Sequence, residues 1–270
     1  MRRLALVLAA LSVGWAAPVP AAGGGHLRLA TTTSVENSGL CAAILPVFER
    51  RAGLKVDVIA VGTGQAIKLG ESGDVDVILV HDPALEEAFV RSGAGIRRTL
   101  VMVNDFVILG PAADPASMPS CASPADAFRR IAAAGGPFVS RGDGSGTHLR
   151  EKSLWKEAGT APTGAWYIEA GQGMGPVILM AGEKRAYTLT DRGTWLAMQD
   201  KANLAVVYEN PEALRNEYHV IAVNSARWPH VRLREALALI RWLVSREAQD
   251  LIGRYQKGGV QLFKPAVPAR

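Results

Sequence analysis

The sequence predicts an α/β fold arranged as two lobes. Three observations carry that reading. Short apolar strand segments alternate with helix-period segments, the alternation comes in two successive sets, and 270 residues exceed what one ordinary domain needs. Hydrophobic residues at 49% and charged residues at 20% are ordinary for a globular chain and exclude an extended disordered one. Alternation at this spacing implies βαβ units and a mostly parallel sheet.

In the first set, Leu27 to Ala30 reads as a strand that runs into the polar turn Thr31-Thr32-Thr33-Ser34. Leu40, Ile44, Leu45 and Phe48 then recur at helical spacing, with Pro46 the place for a kink. Lys55 to Val61 is a strand closed by Gly62-Thr63-Gly64 before a short helix carrying Ile67 and Leu69. Val75 to Val80 is the next strand, and Pro83 suits the first turn of a helix over 84–91.

The second set opens with two apolar segments, 100–103 and 106–109, punctuated by Gly110-Pro111. Ser123-Pro124 supplies an N-cap and a first-turn proline for a helix over 125–134. Phe138 to Ser140 is a short strand leading into Arg141-Gly142-Asp143-Gly144-Ser145-Gly146-Thr147, with a helix over 148–158 behind it. A helix over 175–182 and strands over 186–189 and 204–208 follow. Helices over 229–244 and 246–255 close the chain, with Leu233, Leu237, Ile240 and Leu243 on one apolar face.

The first 22 residues are set apart. Arg2-Arg3, the apolar run from Leu4 to Ala17, and Pro18-Val19-Pro20-Ala21-Ala22 have the layout of a secretory signal peptide cut after Ala21 or Ala22. Removing it lowers the net charge from +5 to about +3. No later stretch is apolar enough for a bilayer span, so the mature chain is expected to be soluble outside the cytoplasm. The basic residues are dispersed, which argues against a nucleic-acid partner. Cys41 and Cys121 fall in different lobes, where a bond would restrict lobe motion, so two separate thiols are expected. The five histidines show no metal-ligand spacing, and no bound transition metal is expected. Trp155, Trp166, Trp195, Trp228 and Trp242 read as packing residues.

Three polar turns share one trait: Thr31–Ser34, Gly62–Gly64 and Arg141–Thr147 each sit where a strand ends and a helix begins. In open α/β sheets ligands bind outside the carboxyl ends of strands. Helix N-termini there offer unpaired N–H groups and positive partial charge. Hydroxyls add donors without charge, and Arg141 adds a permanently charged planar fork. Together they describe a pocket for a small tetrahedral oxyanion. Nucleotide binding is excluded, since neither GxGxxG nor GxxxxGK[ST] is present. A secreted serine hydrolase using Ser145 is the alternative, because a serine in a glycine-rich turn before a helix is similar to a nucleophile elbow; no His/Asp partner is evident.

The run from Ser140 to Thr147, followed by a helix with Trp155, resembles the anion-binding segment of phosphate- and tungstate-type periplasmic binding proteins, in which an arginine lies four residues before Ser-Gly-Thr. Four further stretches resemble the tungstate-binding proteins of ABC transporters. They are Thr31–Ser34, Val61–Ala66, Val80-His81-Asp82-Pro83 with Met102–Phe106, and Gly171–Gly175 with Tyr187–Gly193. One departure is Val35-Glu36-Asn37-Ser38, where that family carries Thr-x-Asp-Thr.

The resemblance implies a type II periplasmic-binding-protein flytrap with two crossing hinge strands. It puts residues 26–106 plus 219–270 in lobe 1 and 107–218 in lobe 2. It implies oxyanion contacts from Thr33, Ser34, Thr63, Arg141, Ser145, Gly146 and Thr147, with tungstate or molybdate as the ligand, no cofactor, and tungsten present only as the oxyanion. The implied role is that of an extracytoplasmic, monomeric receptor serving a membrane permease and its ATPase. A phosphate/sulfate-type binding or sensor protein is the variant of this role. A fully deprotonated ligand would be repelled by a facing carboxylate, so Asp82 and Asp143 are expected to point away, Asp143 bracing Arg141.

Overall fold

The computed structural model describes residues 25–266, so the expected signal peptide lies outside the described residues. The chain runs β1 (His26–Thr32), α1 (Thr33–Ser38), α2 (Leu40–Ala52), β2 (Lys55–Val61), α3 (Thr63–Ser72), β3 (Val77–Val80) and α4 (Pro83–Arg91). Next come β4 (Gly95–Gly110), α5 (Pro124–Ala134), β5 (Phe138–Ser140), α6 (Gly146–Glu157), β6 (Tyr167–Glu169), α7 (Met174–Lys184), β7 (Thr188–Asp191), α8 (Arg192–Met198) and β8 (Ala205–Glu209). It closes with β9 (Arg215–Val223), α9 (Leu233–Leu243), α10 (Arg246–Arg254) and the short β10 (Gln256–Lys257), β11 (Val260–Gln261) and β12 (Lys264–Pro265).

Period-two alternation builds two cores on the first sheet, whose order is β12-β4-β9-β3-β1-β2. Leu27, Leu29, Val77, Leu79, Val220 and Ala222 point to one face, where α2, α9 and α10 cover them. Ala30, Ile78, Val80, Ile221 and Val223 point to the other, against α3 and α4. Each fully buried Leu or Ile there contributes roughly 1.5–3 kcal/mol. The same alternation continues in the far half of β4. Phe106 and Ile108 join a core with Phe128, Phe138 and Trp155 under α5 and α6, while Val107 and Leu109 join one with Val177 and Ile178 of α7. One strand thus serves both lobes.

The sheets are mixed rather than mostly parallel. β1 pairs with β2 and with β3 in parallel, as does β5 with β6. Against these, β4 is antiparallel to β7, β8, β9 and β12, and β9 is antiparallel to β3. The two apolar segments at 100–103 and 106–109 belong to the single 16-residue strand β4. The polar pair between them, Asn104 and Asp105, faces Asn216 and Arg215 in register, so pairing continues through it.

The helix expected over 229–244 begins only at Leu233, because Asp76 Oδ1 accepts the Arg232 backbone N–H at 3.0 Å and acts as a cap supplied from 156 residues away. Asp76 also takes the Arg28 backbone N–H and guanidinium. Burial pushes its carboxyl up, but those donors outweigh burial and hold it below the usual range. Helix α2 runs continuously through Pro46. Cys41 is buried in lobe 1 and Cys121 half-buried in lobe 2, and both are free thiols. Among the described residues no helix is long and apolar enough to cross a membrane.

Candidate functional site

Three helix starts converge on a small cavity of about 10 Å³. Thr33, Ser34 and Thr63 border it from the starts of α1 and α3, and Arg141, Ser145, Gly146 and Thr147 border it from the loop after β5 and the start of α6. The structure therefore brings all seven residues singled out in the sequence around one space. A wider hollow of about 780 Å³ on lobe 2, lined by Lys152, Lys156 and the 159–164 turn, touches none of these seven.

Each turn has a local cause. Thr32 ends β1 in extended geometry and caps α1 through Oγ1, which accepts the Val35 N–H. Its hydroxyl lies 2.9 Å from Ser34 Oγ. Gly62 precedes α3 without a side-chain cap, so the first N–H groups of that helix and the Thr63 hydroxyl remain available. Thr63 Oγ1 is fully buried and has no hydrogen-bond partner. On lobe 2, Gly142 and Gly144 take positive φ values of 62° and 70°, which bend the loop so that Ser145 caps α6. The lobes meet closely, since a Cβ on Gly146 would stand 3.3 Å from both His81 Cε1 and Thr63 Oγ1.

Arg141 is 6% exposed and is fixed by Asp143, whose Oδ2 accepts from Nε at 3.1 Å and Nη2 at 2.5 Å. Asp143 Oδ1 accepts the Ser145 N–H at 3.0 Å. Burial raises the Asp143 carboxyl, but Ser145 and Arg141 together outweigh it and hold it below its usual range. Asp82 caps α4 by accepting the Leu85 N–H. Neither carboxylate borders the cavity.

The His148 ring is not placed as a base for Ser145. Its Oγ accepts the His148 backbone N–H, while the His148 ring Nδ1 accepts the Gly144 N–H at 2.9 Å, so the imidazole braces the loop. Beneath the loop, Glu151 accepts from Trp155 Nε1 and Tyr167 OH, inside an aromatic cluster of Phe128, Phe138, Trp155 and Tyr167. Desolvation pushes its carboxyl up to about 7 against the opposing hydrogen bonds.

Four further residues line the cavity, Thr32, Val61, Gly62 and His81; all lie in stretches singled out in the sequence, but none was given a contact there. His81 directly follows β3, where ligand-facing residues of α/β sheets collect. It is buried, stacked on Tyr218 at 4.7 Å between centroids, and joined through Nδ1 to Asn216 Oδ1 at 3.1 Å and through Nε2 to Ser34 Oγ at 3.4 Å. Asn216 in turn donates to Asn104 Oδ1 and Tyr218 OH. Burial lowers the His81 pKa despite the nearby carboxylates of Asp191, Glu86 and Asp82, so the ring is neutral at neutral pH.

A family model described as a PBP superfamily domain matches residues 16–247. The chain belongs to the PBP superfamily. Among superfamily relatives, the tungstate-binding protein TupA of Peptoclostridium acidaminophilum is 45% identical over 246 residues, 89% of this chain and 86% of that protein. The solved structure described as the tungstate ABC transporter from Geobacter sulfurreducens is 51% identical with a TM-score of 0.79, covering 85% of this chain and 98% of that one. The tungstate-binding protein TupA from Desulfovibrio alaskensis G20 is 44% identical with a TM-score of 0.79, covering 91% and 100%. The fold of this PBP superfamily member is thus shared at high identity with proteins named for tungstate binding and for a tungstate ABC transporter.

Proposed function

We propose that this protein is the extracytoplasmic substrate-binding component of an ABC transporter. It binds a tetrahedral oxyanion, tungstate with molybdate as a near-isosteric second ligand, between lobes formed by residues 26–106 plus 219–270 and by residues 107–218. The single observation that carries this reading is the convergence of the seven residues on one cavity, with Arg141 already oriented and the Thr63 hydroxyl left without a partner. The names of the similar proteins support the choice of tungstate.

The electrostatics fit a fully deprotonated ligand. Both carboxylates nearest the loops are engaged in caps or the Arg141 pair, so neither repels the anion from the cavity wall or accepts a proton from it. A protonated oxyanion such as hydrogen phosphate would ask for such an acceptor. Sulfate is smaller, and donors set for longer metal–oxygen bonds would lie beyond good hydrogen-bond distance from it. The helix dipoles of α3 and α6 and the Thr63 hydroxyl add to the stabilisation that Arg141 supplies. No resident cofactor or metal is part of this reading. The loaded monomer passes its oxyanion to a membrane permease and its ATPase.

Calorimetric titration of the ligand-stripped protein tests this. Tungstate should bind tightly, with sulfate and phosphate silent. Arg141→Ala should weaken tungstate by at least about thirtyfold, since truncating one partner of a buried charged hydrogen bond costs about 2 kcal/mol or more. Silence for tungstate and molybdate in the native protein would defeat the proposal.

A further inference from the structure

Among the described residues, the wall of the cavity holds one titratable side chain besides Arg141, and that is His81. A dianion entering a buried space needs compensating charge. The Arg141 charge is already shared with Asp143. The hydroxyl chain next to His81 also points the wrong way for an anion. Asn216 Nδ2 is occupied as a donor to Asn104 and Tyr218, so its Oδ1 accepts from His81 Nδ1–H. That leaves His81 Nε2 as a lone pair, which accepts the Ser34 hydroxyl hydrogen, while Thr32 donates to Ser34. Every hydrogen in the chain Thr32–Ser34–His81 is then directed away from the ligand.

Resting on the oxyanion reading above, we propose that His81 takes up a proton from solvent at Nε2 when the dianion binds, which turns the Ser34 hydroxyl toward the ligand and supplies the second positive charge. With a hydrogen on Nε2 the ring donates to Ser34 Oγ, and the Ser34 hydrogen becomes free to meet an oxyanion oxygen. No bond of the oxyanion is made or broken, and the proton comes from bulk buffer.

The groups facing the ring fit this exchange. Asp82 and Glu86 on α4 and Asp191 at the start of α8 favour the imidazolium; Asp191 is held by Thr194, and Glu86 by Arg98 and His219. Asn216 and Tyr218 on β9 are neutral, as are Ser34, Thr63 and Gly146, and Arg141 across the cavity opposes the charge until the dianion lies between them. In the absence of ligand, burial keeps the ring neutral below its usual value. By linkage the bound dianion raises that pKa, so affinity rises as pH falls, up to about tenfold per pH unit, between the free and the liganded value.

The experiment is calorimetric titration with tungstate at pH 6.5 to 8 in buffers of different ionisation enthalpy, on the native protein and on His81→Gln, with thermal melts of both. The expected result is a heat that depends on buffer, corresponding to uptake of up to about one proton per tungstate. In His81→Gln, which keeps a hydrogen-bonding end but does not titrate, the melt should be retained and both the buffer dependence and the pH slope should vanish. Binding with buffer-independent heat in the native protein would overturn the proton uptake and leave the oxyanion reading standing, showing that neutral His81 already carries its hydrogen on Nε2. Buffer dependence that persists in His81→Gln would assign the proton elsewhere. No binding at all would remove both.

Discussion

A buried hydroxyl without a partner costs about 1–3 kcal/mol, and Thr63 Oγ1 is such a group beside the cavity. A side chain kept at that cost in a site facing Arg141 and Ser145 is placed for a ligand rather than for the fold. Thr63→Val, which keeps shape and removes only the hydroxyl, should leave the melting temperature of the ligand-free protein unchanged or higher. It should weaken tungstate roughly tenfold, the worth of one hydrogen bond to a charged group. Parallel loss of melting temperature and affinity would mark the hydroxyl as structural. Arg141 belongs to the opposite kind of residue, held by Asp143 and therefore expensive to remove for both binding and loop order.

At the scale of elements, α6 does the most, because its start presents Ser145, Gly146 and Thr147 while its buried face carries Glu151 and Trp155. An added Cβ at Gly146 would stand 3.3 Å from His81 Cε1 and Thr63 Oγ1 across the cleft, so those two side chains would have to give by a few tenths of an ångström. Gly146→Ala should therefore lower tungstate affinity with no loss of thermal stability, since alanine suits a helix better than glycine. Equal affinity in a titration would show that closure leaves more room.

The buried face gives a pH signature. The Glu151 carboxyl, raised to about 7 in the fold and normal when unfolded, is stabilising below the unfolded value, and that stabilisation is lost as pH rises through 7. Glu151→Gln should thus melt higher than the native protein at pH 8, with the advantage shrinking toward pH 5. Melts in a pH series check it, and a constant difference would mean that Glu151 does not titrate in this window.

The whole molecule is organised around β4, which runs from the core under α2, α9 and α10 into the cores under α5, α6 and α7. β4 contributes Met102 to the lobe 1 core and Ile108 to a lobe 2 core, and Arg192 ties the crossing region by reaching Asp105 and Glu209. An oxyanion bound by both lobes stabilises the entire chain by mass action, about 2.7 kcal/mol at a free concentration one hundred times Kd. The melting temperature should rise by roughly 5–10 °C with tungstate and not with an equal concentration of sulfate. A rise of equal size with sulfate would indicate nonspecific anion binding.

The amino-acid sequence by itself determined the strand alternation and the three glycine- and hydroxyl-rich turns, while the seven candidate contacts within them were implied by its resemblance to a known family. Alternation and turns are near-neighbour properties: side-chain period, capping chemistry, and the backbone freedom of Gly142 and Gly144. Only the tertiary structure decided what depends on partners distant in the chain. Asp76 caps α9 from 156 residues away. β4 continues through the polar Asn104 and Asp105 because β9 supplies Asn216 and Arg215 opposite them. The antiparallel pairings of the first sheet follow from β9 running between β3 and β4 against both, not from the local βαβ rhythm. His81 acquires its tautomer from Asn216, 135 positions later, and its neutrality from burial against Tyr218. Local pattern carries no record of such pairings, since a hydrogen-bond partner or a desolvated wall exists only once the strands have been ordered in space.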